Sequence, residues 1–94
     1  MIFEWNEIKN RKNLKKHGVS FDEARTVFLD ELGRLIPDPD HSEGEERFVL
    51  MGISSMSNLL LVCHCERELN VIRVISARKA NKPERMQYEG YKHA

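Results

Sequence analysis

Two neighbouring stretches, Cys63-His64-Cys65-Glu66-Arg67-Glu68 and Val71-Ile72-Arg73-Val74-Ile75-Ser76-Ala77-Arg78-Lys79, bring an imidazole, several carboxylates and a series of cations close together in the chain. Both read as strands with a short polar link, so pairing across a hairpin would gather these groups. The chemistry open to them is phosphate contact and proton transfer. Guanidinium forks match phosphate oxygens bidentately, and an unperturbed imidazole titrates near neutrality, which suits a general acid or base. Each residue also has a plain structural reading. Alternation sets Arg73 beside Val71 and Ile75 on one face, where it is either a phosphate contact or a structural ion pair reaching the sheet edge. Arg78 and Lys79 stand at a strand end, open to a ligand or merely solvated. His64, the one histidine in an expected strand, either moves a proton or packs as a neutral ring.

No cofactor or metal is expected. Cys63-x-Cys65 around His64 hints at zinc, but a structural site needs four ligands and alternation sends His64 to the face opposite the thiols. Asp38, Asp40 and His41 are explained more simply by a proline-punctuated solvated turn than by a hard-cation site. No glycine-rich phosphate loop, nucleophile elbow or paired-carboxylate signature is present. His17 closes a helix, where the macrodipole favours an imidazolium, and His93 falls in a terminal tail.

The elements that must position these groups follow from periodicity and caps. Phe3 and Trp5 suggest a short first strand, and Asn6 is a competent N-cap for a polar helix ending at Gly18, with Ile8 and Leu14 as its apolar anchors. Ser20-Phe21-Asp22-Glu23 reads as a capping box opening a second helix, whose stripe Phe21, Ala24, Val27, Phe28 and Leu32 covers a sheet and which stops at Gly33. Strands are expected at 34–38, 47–53, 59–66 and 70–77, with hairpin links at 54–58 and 67–68 and a long acidic link from Pro37 to Glu46. Pro83 opens a last helix running to about Tyr91. The predicted architecture is one α+β domain over residues 1–94, two N-terminal helices packed on a small antiparallel sheet with a C-terminal helix.

Zero net charge hides an uneven distribution. Residues 1–19 carry +3, residues 20–62 carry −6, and residues 63–94 carry +3. If the basic ends meet, a neutral protein still presents a positive face to phosphate, with Lys12, Lys15, Lys16, Arg85 and Tyr88 as expected RNA contacts. The longest apolar run, Leu59 to Cys63, is too short to cross a bilayer, and the opening residues lack the pattern of a signal peptide. With Cys63 and Cys65 on one side of a strand, a poor geometry for a disulfide, free thiols in the cytoplasm are expected.

Phe3-Glu4-Trp5-Asn6, the run from Asn13-Leu14-Lys15-Lys16-His17-Gly18 through Val19-Ser20-Phe21-Asp22-Glu23-Ala24, then Glu66-Arg67, Ile72 to Ala80, and Glu84-Arg85 with Tyr88-Glu89 resemble, in order, the BrnT toxins of bacterial type II toxin–antitoxin systems. The resemblance implies a RelE-like fold, a ribonuclease activity that arrests translation, and a cognate BrnA-like ribbon-helix-helix antitoxin through which the pair would reach DNA. A metal-free ribonuclease of this kind needs a base for the 2′-hydroxyl, cations at the phosphorus and an acid for the departing 5′-oxygen. Arg67, Arg73 and Arg78 are expected as the cationic clamp, His64 or Glu66 as base, and Lys79 and Tyr88 on the acid side. The competing reading is a non-catalytic module that holds nucleic acid or a partner protein without cutting anything.

Overall fold

The structure, a computed structural model, describes residues 1–37 and 46–92. The Asp38, Asp40 and His41 turn, the Glu43-Gly44-Glu45 part of the acidic link, and His93 lie outside the described residues.

The element order is β1 (Ile2–Glu4), α1 (Glu7–His17), α2 (Phe21–Arg25) leading into a 3-10 turn at Thr26–Leu29, β2 (Arg34–Pro37), β3 (Phe48–Ile53), β4 (Leu59–Glu68), β5 (Val71–Lys79) and α3 (Lys82–Lys92). The strands form one sheet in the order β1-β5-β4-β3-β2. Strands β2 to β5 make the anticipated antiparallel meander, whereas β1 runs parallel to β5 with Phe3 opposite Ile72. The expected antiparallel sheet is therefore corrected to a mixed one. No hairpin dictates the direction of β1, because two helices and three strands intervene before β5. The β4–β5 turn also moves, to Leu69 and Asn70, with Asn70 in the left-handed region at φ 71°.

Val19, Phe21, Ala24 and Val27 from the helical segment pack on Leu60, Val62, Val74 and Ala77, all buried, to make the main core on one face of the sheet. Fully burying a Val, Leu or Phe side chain contributes on the order of 2 kcal/mol. The Asn6 carboxamide caps α1 by accepting from the Lys9 N–H, and Gly18 ends it at φ 71°. Ile8 and Leu14 do not anchor that helix, being 58% and 50% exposed. Asparagines do instead: Asn10 Oδ1 accepts from the Phe21 N–H, and buried Asn13 reaches Val19 and Ala77.

Only half of the capping box at Ser20 forms. Ser20 Oγ accepts from the Glu23 N–H, but the Glu23 carboxylate turns inward to accept from Ser54 Oγ at 2.6 Å and Asn58 Nδ2 at 2.8 Å. Thr26 then donates its hydroxyl to the Glu23 carbonyl, and the helix tightens there instead of running to Gly33. Leu29 and Leu32 are consequently left outside the core.

The opposite face of the sheet is covered at one end by α3, whose Tyr88 packs on Met51 and Leu59. The Tyr88 hydroxyl donates to Asp30 Oδ2 at 2.6 Å, and the same oxygen accepts from the Ile53 N–H. Gly52 makes this possible, since a Cβ there would stand 2.9 Å from Val27 and 3.0 Å from Asp30 Oδ2.

Candidate functional site

Beside α3, the described residues of that face form a groove of about 460 Å³. Ile36, Val49, Leu61 and Ile75 make its apolar floor, while His17, Arg47, Cys63, Ser76, Arg78 and Glu84 supply polar groups. His17 reaches the groove because α1 docks against the edge of β5 beyond its pairing with β1. Asn13 Nδ2 donates to the Ala77 carbonyl at 2.8 Å, and Asn13 Oδ1 accepts from the Ala77 N–H at 3.1 Å, as a neighbouring strand would. The last turn of the helix, with Lys15, Lys16 and His17, is thereby brought to the groove's rim.

A register shift in the β4–β5 pair sets the other wall. Cys63 faces Ser76 while His64 faces Val74, so Ile75 is the extra residue of a bulge. Ile75 and Ser76 both border the groove as a result, and alternation resumes with Ala77 inward and Arg78 outward.

Arg78 is held by two hydrogen bonds of 2.8 Å to the two oxygens of Glu84. Glu84 is itself fixed by a reciprocal capping box, donating its N–H to Asn81 Oδ1 and accepting the Asn81 N–H, both at 2.9 Å. The shared fork holds the Glu84 carboxyl below its usual range and the Arg78 guanidinium above its own.

The expected site residues do not converge in one pocket. Arg73 spends its charge on Glu4 of β1, at 2.9 Å, and lies five residues before Arg78, about 16 Å of strand. Glu66 and Arg67 are at the far hairpin end, around a shallow depression with Glu68 and Leu69. His64 faces the helices, 5% exposed, with its ring 4.8 Å from that of Phe28 and 6.4 Å from that of Phe48. Its Nδ1 lies 3.1 Å from the Val62 carbonyl, which only accepts, so that nitrogen carries the proton. Burial lowers the basicity of the ring, against weaker opposing effects of that carbonyl and of Glu66. Tyr88 is buried, and desolvation with the Asp30 bond pushes its hydroxyl up to about 12. Lys79 and Arg85 are exposed near the groove end of β5 and on α3, and Lys12, Lys15 and Lys16 are exposed on α1.

His17 and Arg47 were missed as site residues. Their only sequence signals are that the last helical turn precedes a left-handed glycine, which aims His17, and that Arg47 shares alternation with Val49. Cys63 and Cys65, half-buried and buried, are not joined in a disulfide. Among the described residues no three His, Cys, Asp or Glu side chains gather as metal ligands, and no helix is long and apolar enough to cross a membrane.

Residues 5–84 match the family described as the ribonuclease toxin, BrnT, of type II toxin-antitoxin systems. The fold is similar to the crystal structure of the Brucella abortus ribonuclease toxin BrnT, with a TM-score of 0.67 at 20% identity, covering 87% of this chain and all of that one. Among proteins of curated function none matches the sequence. The mixed sheet under two N-terminal helices and the family match over most of the length lead to one conclusion: the chain belongs to the BrnT family of ribonuclease toxins of type II toxin–antitoxin systems.

Proposed function

We propose that this ribonuclease toxin cuts RNA in the groove on its open sheet face, by metal-independent transesterification. His17 exchanges protons with the 2′-hydroxyl or the departing 5′-oxygen, and the cations at the groove, with Lys79 at the strand end and Arg78 in its wall, stabilise charge at the phosphorus. Lys12, Lys15, Lys16 and Arg85 guide the flanking phosphates. His64, Glu66, Arg67, Arg73 and Tyr88 fall outside this set: His64 and Tyr88 are buried, Arg73 is paired with Glu4, and Glu66 and Arg67 stand at the far hairpin end. The observation that carries the reading is that an imidazole and two guanidiniums, those of His17, Arg47 and Arg78, border one space over an apolar floor.

Cleavage of messenger RNA would arrest translation in the cytoplasm. A BrnA-like ribbon-helix-helix antitoxin is the partner we assign to the basic face, with DNA contacted only through that complex, and residues 1–94 act as one domain. The test is incubation of pure protein with RNA in EDTA. Fragments ending in 2′,3′-cyclic phosphate are expected, with His17→Ala slower by about 10²–10⁴-fold. Undiminished cutting by that variant would remove His17 from the mechanism.

A further inference from the structure

Arg47 stands just before β3 and borders the groove, and its Nε is wholly shielded from solvent with no hydrogen-bond partner among the described residues. A shielded guanidinium N–H without an acceptor is rare and costly, because it has lost water and gained nothing in return. The other arginine of the groove is in the opposite condition, with both terminal nitrogens committed to Glu84. The neighbours of Arg47 there offer it little. Val49 and Ile36 are apolar, and the Glu84 carboxylate is bonded to Arg78 and Asn81. What the guanidinium lacks is an anionic partner, and the side chain borders the groove from which one would come.

We infer that Arg47 is the residue that seats the scissile phosphodiester, its guanidinium donating to the non-bridging phosphate oxygens while the apolar floor supports the adjoining base or ribose. The inference rests on the groove being the cleavage site and names the donor that engages substrate there. A guanidinium at this point does two things. It fixes the phosphate between the imidazole of His17 and the strand-end cations, and it meets the charge that grows on the phosphate oxygens as the 2′-oxygen attacks. Arg78, already neutralised by Glu84, then shapes the wall of the seat and is secondary in charge.

The experiment pairs two substrates of one sequence, a single-stranded RNA and its fully 2′-O-methylated form, which lacks the attacking hydroxyl and reports binding alone. Wild type is compared with Arg47→Gln, Arg47→Lys and the remote control Arg25→Gln, a residue exposed and paired with Asp22. Circular dichroism and thermal melts confirm folding of each variant.

The expected result is that Arg47→Gln slows cleavage by about 10²–10³-fold, weakens binding of the methylated strand roughly tenfold, and lowers the salt slope of binding by about one phosphate. Arg47→Lys should recover binding better than rate, because an ammonium keeps the charge without the fork. Arg25→Gln should behave as wild type. Folded Arg47→Gln that binds and cuts like wild type overturns the assignment and leaves the ribonuclease reading untouched. If wild type binds the methylated strand but leaves RNA intact, the cleavage site reading fails, and the binding arm still decides whether Arg47 seats a phosphate. Absence of any Arg47-dependent binding, with or without cleavage, counts against the inference.

Discussion

Asn13 and Ala77 exchange two hydrogen bonds, the carboxamide donating to the carbonyl and accepting from the N–H of a strand residue whose edge β1 does not reach. One side chain thus substitutes for a strand, satisfies the Val19 carbonyl as well, and fixes where α1 ends.

Replacing it should be severe. Asn13→Ala leaves buried backbone groups of Ala77 and Val19 without partners, and each such group costs about 1–3 kcal/mol. A loss of about 3 kcal/mol is expected, seen in urea unfolding as a lower midpoint. Residual folded protein should cut RNA more slowly, since the end of the helix carrying His17 is loosened. A variant as stable as wild type would show that the amide is dispensable.

His64 should matter to stability and little to catalysis. Burial depresses its native basicity below the ordinary value of 6.5, so as pH falls the unfolded chain takes up a proton first. The contribution is therefore complete above about pH 6.5 and is lost as pH drops toward the native value. His64→Phe, placing an aromatic ring against Phe28 and Phe48, should flatten the decline in melting temperature below pH 6.5 while RNA cleavage stays within about threefold of wild type. A hundredfold loss of cleavage would return His64 to the chemistry.

Tyr88 gives the opposite dependence. Its hydroxyl is raised from 10 to about 12, so its contribution is complete below pH 10 and disappears as pH rises through 12. Tyr88→Phe should remove about 1.5–3 kcal/mol, the usual worth of a bond to a charged acceptor, and the variant should lose less stability than wild type between pH 10 and 12. Denaturant titrations at pH 8 and 11 measure both effects.

Glu84 occupies the Arg78 fork that would otherwise meet RNA. Glu84→Gln keeps a side chain able to complete the helix cap and removes the charge, so RNA affinity should rise severalfold at low salt and converge with wild type as salt increases. Filter binding of a 2′-O-methylated strand across a salt series checks this, and lower affinity in the variant would mean that Glu84 serves the substrate directly.

Local signals led correctly to most elements and less well to the site. Asn6 and Gly18 bound α1 as their cap chemistry requires, and alternation located β3, β4 and β5 to within a few residues. The direction of β1 was not legible, because no local feature records which strand a three-residue segment will meet. Nor was the docking of α1, whose aliphatic residues face solvent while its asparagines are consumed by backbone. His64 and Arg73 looked alike as charged or titratable groups among aliphatics. Whether each has a private partner depends on Phe28 and Glu4, which are distant in the chain. The bulge at Ile75 shifts the phase of alternation before Arg78, and Arg47 was overlooked because a strand-initiating arginine is ordinary until its surroundings are known.

Glu4 and Arg73, partners across the parallel pair, are 69 residues apart. During synthesis β1 therefore waits until the stretch through β5 has emerged before it has an edge to join, and long-range closure of this kind is slow. The groove's last wall, Arg78 and Glu84, arrives later still. A growing chain thus has no complete groove until the segment through Glu84 has left the ribosome.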